Sequence, residues 1–351
     1  MNRSISRAGA ALGAALLVIA LTAAPAFACG GLIGPNGAVN LLRTTTLAGY
    51  HDGAEHYITA FQFAGGGGAF GSLTPLPGIP SSVEKGGDWT LQRLVRETDP
   101  VPESVLFAAG AALRDSAEEL MKVRIDALDI TVLRGGAAAV GQWATEHGFR
   151  LPPDAPEVLD FYANRSPIFL AAVFDADAAS QRGQAVGDGT PVHITIPTDN
   201  PWVPLRILAL GKTAAERVDA DVYLLTDGRP ALLPVPTGVN GLGLDHSAPA
   251  TDSLLTDLRS DKGMGWVPEV GWLTKVSIDA AAPQLAFDLA IDASGAGAPS
   301  RIMAGLEAPG TAVAPDRTLD NLRLVVGVIL TFGGIGGILL LMRQRPPLSM
   351  A

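Results

Sequence analysis

The sequence is poor in cysteine: Cys29 is the only one among 351 residues. One thiol cannot form an intramolecular disulfide, so the fold must rest on an apolar core, which a chain of this length can build. Familiar catalytic signatures are also missing. There is no H-E-x-x-H zinc motif, no G-x-S-x-G nucleophile motif and no Walker-type phosphate loop. We therefore predict no cofactor and assign no catalytic residue.

Positive charge is scarce as well. The chain has 25 Lys and Arg against 35 Asp and Glu. Twenty of the basic residues and all the acidic ones fall between residues 29 and 322, which gives that segment a net charge of −15. A surface of this sign repels nucleic acid, so we expect no nucleic-acid partner.

The N-terminal apolar run predicts a secretory signal peptide over residues 1–28. Two arginines precede an uncharged stretch over residues 8–23. Ala26 and Ala28 then supply the small residues of a cleavage site, with the cut between Ala28 and Cys29. The alternative is an N-terminal anchor that is not cleaved.

Cleavage would make Cys29 the first residue of the mature chain. That position suggests a lipid-modified thiol, although Ala26 and Phe27 fit the lipid-attachment pattern poorly. A free thiol and an intermolecular disulfide are the alternatives.

The C-terminal apolar run predicts a single transmembrane helix over residues 324–342. These 19 residues carry no charge, and at 1.5 Å per residue they span about 29 Å, close to the hydrocarbon thickness of a bilayer. Arg343 and Arg345 follow, which assigns residues 343–351 to the cytoplasm. We expect a single-pass protein of the cell membrane with its N-terminal domain outside the cytoplasm. A buried core helix is the alternative.

Gly333 and Gly337 form a small-xxx-small pair within the predicted span. Such a pair allows two helices to pack closely. The predicted partners are therefore the lipid bilayer and, through this pair, a second copy of the chain or another envelope protein. The alternative is that these glycines reflect only the abundance of glycine in membrane helices.

The segment between the two ends predicts an α+β fold, mostly antiparallel sheet with interspersed helices. Apolar residues alternate over residues 57–63, as in a strand, and Asp88 is placed to cap a helix over residues 89–97. We expect the extracytoplasmic domain to cover residues 29–292 and an Ala/Gly/Pro-rich stalk to cover residues 293–323.

Three further local predictions concern the same domain. Residues 116–122 favour a helix, and residues 238–250 favour a loop. Asp227-Gly228 between two apolar runs is typical of a hairpin turn that joins paired strands.

Several segments together resemble a bacterial family known only as domain of unknown function 2330. They are Cys29-Gly30-Gly31, residues 57–63 leading into 73–80, residues 91–94, residues 130–133, Trp143–Pro152 with Tyr162 and Phe169 downstream, residues 201–206 and residues 222–228. The resemblance implies an exported or surface-anchored protein. It implies no activity and no catalytic residues.

One local cluster offers metal ligands: His51, Asp52, Glu55 and His56. Imidazole and carboxylate groups could hold zinc or another divalent ion. The spacing does not suit one helical face, however, and Asp52-Gly53 is typical of a tight turn with solvated polar residues.

Two functional hypotheses follow. The first is a non-enzymatic binding or structural domain anchored outside the cell membrane. The second is an envelope hydrolase or metal-dependent enzyme, whose site would bring His51, His56 or His193 together with carboxylates only in the fold.

Overall fold

The computed structural model describes residues 26–27, 31–34, 37–38, 43–62, 69–99, 119–175, 178, 181 and 189–309. Several sequence predictions lie outside this part of the chain. They are the signal peptide up to residue 25, the cleavage and lipidation position at Ala28 and Cys29, the stalk beyond Pro309, the span over residues 324–342 with Gly333 and Gly337, and the tail.

Seventeen strands and four α-helices occur among the described residues. In chain order the strands are β1 (Ala26–Phe27), β2 (Gly31–Gly34), β3 (Gly37–Ala38), β4 (Arg43–His51), β5 (Ala54–Gln62), β6 (Phe70–Leu76), β7 (Ser82–Lys85), β8 (Glu119–Ile125), β9 (Leu128–Arg134), β10 (Ile168–Phe174), β11 (Gly189–Pro197), β12 (Trp202–Val203), β13 (Arg217–Thr226), β14 (Ala231–Leu233), β15 (Leu242–Pro249), β16 (Trp272–Ala281) and β17 (Leu289–Asp292). The α-helices are α1 (Thr90–Thr98), α2 (Ala137–Glu146), α3 (Ala155–Ala163) and α4 (Asp252–Ser260), and 3₁₀ helices cover Arg206–Ala209 and Ala282–Gln284.

The strands form three sheets. The large sheet has the order β15-β16-β13-β4-β5-β11-β7, with β1 also paired to β4. The second sheet has the order β3-β2-β6-β10-β9-β8, and the small sheet the order β12-β17-β14. Only the pairs of β4 with β1 and with β13 are parallel among the described strands. The predicted α+β fold with mostly antiparallel sheet is therefore confirmed.

Both faces of the two larger sheets are buried, because alternate residues of one strand enter different cores. In β5, Tyr57 joins the core between the two sheets, whereas Ile58 joins the core beneath α1 and α4. In β10, Leu170 faces the central core and Phe169 packs with α2 and α3. The two-residue period of a strand thus fixes a layered arrangement of helices, sheet, sheet and helices.

The tight turn predicted at Asp52-Gly53 is confirmed. Both residues have positive φ, 49° and 76°, and they join His51 to Ala54 in the paired strands β4 and β5. Positive φ at both central positions is the geometry of a two-residue hairpin turn, which Asp-Gly adopts readily.

Four local predictions were wrong. The strands on either side of Asp227-Gly228 do not pair, because β13 lies in the large sheet and β14 in the small one. Residues 119–125 form a strand that pairs with β9, and residues 242–249 form the edge strand β15. Asp88 does not cap α1: Trp89 occupies the N-cap position, and Asp261 holds the entry to the helix by accepting hydrogen bonds from the Asp88 and Trp89 amides at 3.1 Å and the Thr90 hydroxyl at 2.8 Å.

The folded unit extends beyond the boundary predicted at residue 292 and ends at Pro309. Ala304 is fully buried, and its carbonyl accepts a hydrogen bond from the Asp288 amide at 3.0 Å. The described part of the predicted stalk, residues 293–309, therefore packs on the domain. Within the described ranges, no helix is both long and apolar enough to cross a bilayer.

A buried carboxylate joins the elements around α3. Asp288 Oδ2 accepts from Arg165 Nη2 at 2.7 Å, and Oδ1 accepts from the Tyr162 hydroxyl and from the amides of Leu205 and Arg206 at 2.8 to 3.0 Å. Asp288 is completely buried and the Arg165 side chain is 2% exposed. Desolvation raises the pKa of Asp288, while Arg165 and these donors act against it.

We expect Asp288→Ala to lower the free energy of unfolding by about 3–5 kcal/mol, because it leaves Arg165 charged and buried without its partner. Urea denaturation of the purified protein measures the change. Asp279→Ala is the matched control: its ion pair with Arg217 is exposed, with side chains 75% and 57% accessible, and should be worth less than about 1 kcal/mol. Equal losses in the two variants would contradict this ranking.

Candidate functional site

Two buried histidines meet on the helix-covered face of the large sheet. His56 lies on β5 and His193 on the neighbouring strand β11, where the register pairs His56 with Thr195 and His193 with Ile58. The two rings are therefore diagonal neighbours on one face. His56 Nδ1 and His193 Nε2 lie 3.0 Å apart, a hydrogen-bonding distance. Only 8% of His56 and 6% of His193 is exposed.

The loop after α4 covers this histidine pair. Trp266 stacks on His56 with ring centroids 4.0 Å apart and an interplanar angle of 1°. Gly49, the cross-strand partner of His56 on β4, makes the stacking possible: a Cβ there would lie 2.1 Å from Trp266 Cη2. The glycine is needed because the indole occupies the place of its side chain.

Both histidines are held neutral. Burial, followed by the charge of the neighbouring His193, lowers the pKa of His56 to about 3. Burial also lowers the pKa of His193 to about 4, and a backbone hydrogen bond with Gly263 opposes the shift.

The hydrogen bonds define a tautomer for each ring. A backbone group that raises a histidine pKa is an acceptor, so Gly263 contributes its carbonyl. His193 Nε2 already faces His56, and His193 Nδ1 lies 3.8 Å from the Cβ position of Gly263. We therefore assign His193 Nδ1 as the donor to Gly263 and His193 Nε2 as the unprotonated acceptor of the hydrogen bond from His56 Nδ1.

Glu55 points to the opposite face of β5. It is completely buried, and its Oε2 accepts a hydrogen bond from the Trp202 amide at 3.3 Å. Its Oε1 has no hydrogen-bond partner. Burial raises the pKa of Glu55 to about 8, so the carboxyl is protonated at neutral pH.

The structure divides the four metal candidates predicted from the sequence: His51 Nε2 stays 3.5 Å from Asp52 Oδ2, while Glu55 and His56 lie elsewhere. His51 Nδ1 bonds Asp227 Oδ1 at 2.7 Å at the hairpin end of the sheet, and the Asp52 side chain is 90% exposed. Glu55 enters the core and His56 joins His193. Within the described ranges, no three or more His, Cys, Asp or Glu side chains are grouped closely enough to hold a metal ion.

The other strongly buried charges serve the scaffold. Lys275, 3% exposed, bonds Asp99 and lies 3.7 Å from both Asp221 and Asp245. This network joins the end of α1 to β13, β15 and β16. His147 Nδ1 bonds the Trp143 carbonyl at 2.8 Å at the end of α2.

Sequence reasoning named His56 and His193 separately but did not predict their contact. The residues are 137 positions apart, and their neighbourhood depends on the pairing of β5 with β11. The one available signal was that each histidine occupies a core position in an alternating strand.

The family comparison agrees with the resemblance in the sequence. The model of a family described as an uncharacterized protein conserved in bacteria, DUF2330, matches residues 23–232. The chain belongs to this family. The match covers β5 and β11 with both histidines but ends before α4 and Trp266. No curated protein matches the chain significantly.

Distant likenesses appear among solved structures. Baculovirus P35 is 10% identical with a TM-score of 0.38, covering 72% of this chain and 96% of P35. A mutated baculovirus P35 after caspase cleavage is 9% identical with a TM-score of 0.39, and the match covers 72% of this chain and 99% of that one. A chain of the caspase-8/P35 complex is 8% identical with a TM-score of 0.34, and the match covers 72% of this chain and 90% of that one. Nothing about activity or partners is transferred from similarity at this level.

We expect Glu55→Gln to remove a pH-dependent destabilisation. Folded Glu55 keeps its proton up to about pH 8, whereas a free carboxyl ionises near pH 4.5. Stability is therefore lost as pH rises through this window, by up to about 5 kcal/mol. The Gln side chain can still accept from Trp202 and carries no titrating proton.

Melting temperatures of the two proteins between pH 4.5 and 8.5 measure this effect. The variant should gain over the wild type as pH rises, and Glu84→Gln at an exposed position of β7 should follow the wild type. If the Glu55→Gln and wild-type curves stay parallel, Glu55 is not the buried neutral acid described above.

Proposed function

We propose that this protein is exported, is anchored in the cell membrane by one C-terminal helix and presents a non-enzymatic binding or structural domain outside the cytoplasm. The observation that carries the placement is the pair of uncharged apolar runs at residues 8–23 and 324–342. The first precedes a signal-peptidase site and the second precedes Arg343 and Arg345.

The folded unit is compatible with this arrangement. It ends at Pro309, which leaves residues 310–323 as the connection to the proposed helix. Cleavage after Ala28 would remove only β1, whose two residues pair with Arg43 and Thr44. Strand β4 would keep its pairing with both β5 and β13.

The use of the buried charges supports a non-enzymatic role. Catalytic sites concentrate perturbed acids and bases in accessible clefts. Here Asp288 and Asp261 accept hydrogen bonds that join separate segments, and Lys275 lies within an ion network between strands. These groups stabilise the scaffold and are not available to a substrate.

The alternative, an envelope hydrolase or metal-dependent enzyme, has one observation in its favour, the contact between His56 and His193. Hydrolysis would also need a nucleophile or a metal-bound water beside a base. One hydroxyl lies beside the pair, Thr195 Oγ1 at 3.4 Å from His193 Nε2. Among the described residues no carboxylate bonds either ring, so we favour binding.

Labelling of single thiols in intact cells tests the proposed topology. In a Cys29→Ser background, Val239→Cys places a thiol at a site that is 88% exposed, and Ser349→Cys places one in the proposed cytoplasmic tail. A membrane-impermeant maleimide should label the first variant in intact cells and the second only after lysis.

A carbonate wash of the membranes supplies the second readout, since a helix-anchored protein stays in the pellet. Labelling of Val239→Cys only after lysis would overturn the proposed export. Release of the full chain by carbonate would overturn the anchor.

A further inference from the structure

We propose that the histidine pair is a binding site for one divalent late transition-metal ion, Cu²⁺ or Zn²⁺, held by His56 Nδ1 and His193 Nε2. This inference concerns a specific site within the domain. It does not depend on where the domain resides in the cell.

The separation of the two nitrogens fits two bonds to one ion. With metal–nitrogen bonds of about 2.0–2.1 Å, a nitrogen–nitrogen distance of 3.0 Å corresponds to an angle of about 95° at the metal. That angle lies between the right angle of square-planar coordination and the tetrahedral angle. An ion bound to both nitrogens lies about 1.4 Å to one side of the line between them, so the two rings turn toward it while their strands stay paired.

The hydrogen bond from His193 to Gly263 resembles the outer shell of metal sites. A metal-binding histidine typically donates its other ring N–H to a carbonyl or carboxylate, which fixes the tautomer and the ring orientation. His193 meets this condition through the Gly263 carbonyl and leaves Nε2 free to bind. His56 binds through Nδ1 after its proton moves to Nε2, so the ring remains neutral.

The remaining ligands of such an ion would be a hydroxyl and water. Thr195 Oγ1 lies 3.4 Å from His193 Nε2, and water can complete the coordination because both rings retain some exposure. Trp266 covers one face of His56 and provides an apolar wall. Two imidazoles with water and hydroxyl ligands suit an exchangeable ion better than a permanent structural one.

Burying two imidazoles costs more free energy than burying aliphatic side chains would, if the pair served only to pack the core. The neighbouring positions on this face, Leu47 and Ile58, are apolar and fully buried. Two imidazoles bury their polar nitrogens here at a desolvation cost that their hydrogen bonds only offset, whereas aliphatic side chains would fill the space without it. A metal-binding role explains why this face carries two imidazoles.

Titration of the purified full-length protein in detergent with Cu²⁺ and then Zn²⁺ tests the proposal by calorimetry and elemental analysis. We expect one ion per chain at the pair, with Cu²⁺ bound more tightly. His56→Gln and His193→Gln should each weaken binding by at least the 10–100-fold that is typical for loss of an outer-shell partner. Glutamine preserves bulk and hydrogen bonding, and circular dichroism verifies that each variant is folded.

His51→Gln and His246→Gln are the matched controls, since both histidines lie outside the pair and their loss should leave this binding event unchanged. Trp266→Phe gives a second readout: Cu²⁺ should quench less indole fluorescence in this variant while the stoichiometry stays the same. Equal binding by the wild type and a folded His56→Gln/His193→Gln double variant would overturn the proposal. So would loss of the binding event in His51→Gln alone.

Discussion

The fold depends on one buried carboxylate. Asp288 accepts from the Arg165 guanidinium, the Tyr162 hydroxyl and the amides of Leu205 and Arg206. These donors come from the end of α3 and from the segment after β12, and Asp288 itself precedes β17. Without a disulfide, charge-assisted hydrogen bonds in a dry environment supply the cross-links that a cysteine-poor chain lacks. Asp288 and Arg165 must both be in place, because the loss of either one leaves the charge of the other buried without its partner.

Two other buried charged side chains, Asp261 and Lys275, also hold parts of the fold together, in contrast to the histidine pair. Asp261 joins α4 to the start of α1, and Lys275 joins α1 to the large sheet. Both use their polar atoms for partners within the fold. The histidine pair differs, because two imidazoles share a hydrogen bond with each other and lie beneath the loop that carries Trp266. This pair is therefore the natural place to look for a ligand.

The sequence was informative where the pattern is local. Strand periodicity gave the α+β class, and Asp52-Gly53 gave the β4–β5 turn. Sequence-based prediction failed where the structure depends on pairing between strands distant in the chain. Asp227-Gly228 resembles a hairpin turn, yet the strands on either side of it belong to different sheets, because β16 and β4 occupy both edges of β13. The hydrogen bonds of Asp261 to the start of α1, and the contact of His56 with His193, likewise depend on elements distant in the chain. No local propensity encodes them.

Native-state hydrogen exchange tests the central role of Asp288 most directly. The amides of Leu205 and Arg206 lie in a short connection, and they should exchange slowly only if Asp288 holds them until the whole domain unfolds. We predict that they exchange in the slowest class, with the amide of Val222 in the middle of the large sheet. Exchange as fast as that of Gly265 in the exposed loop would contradict the account.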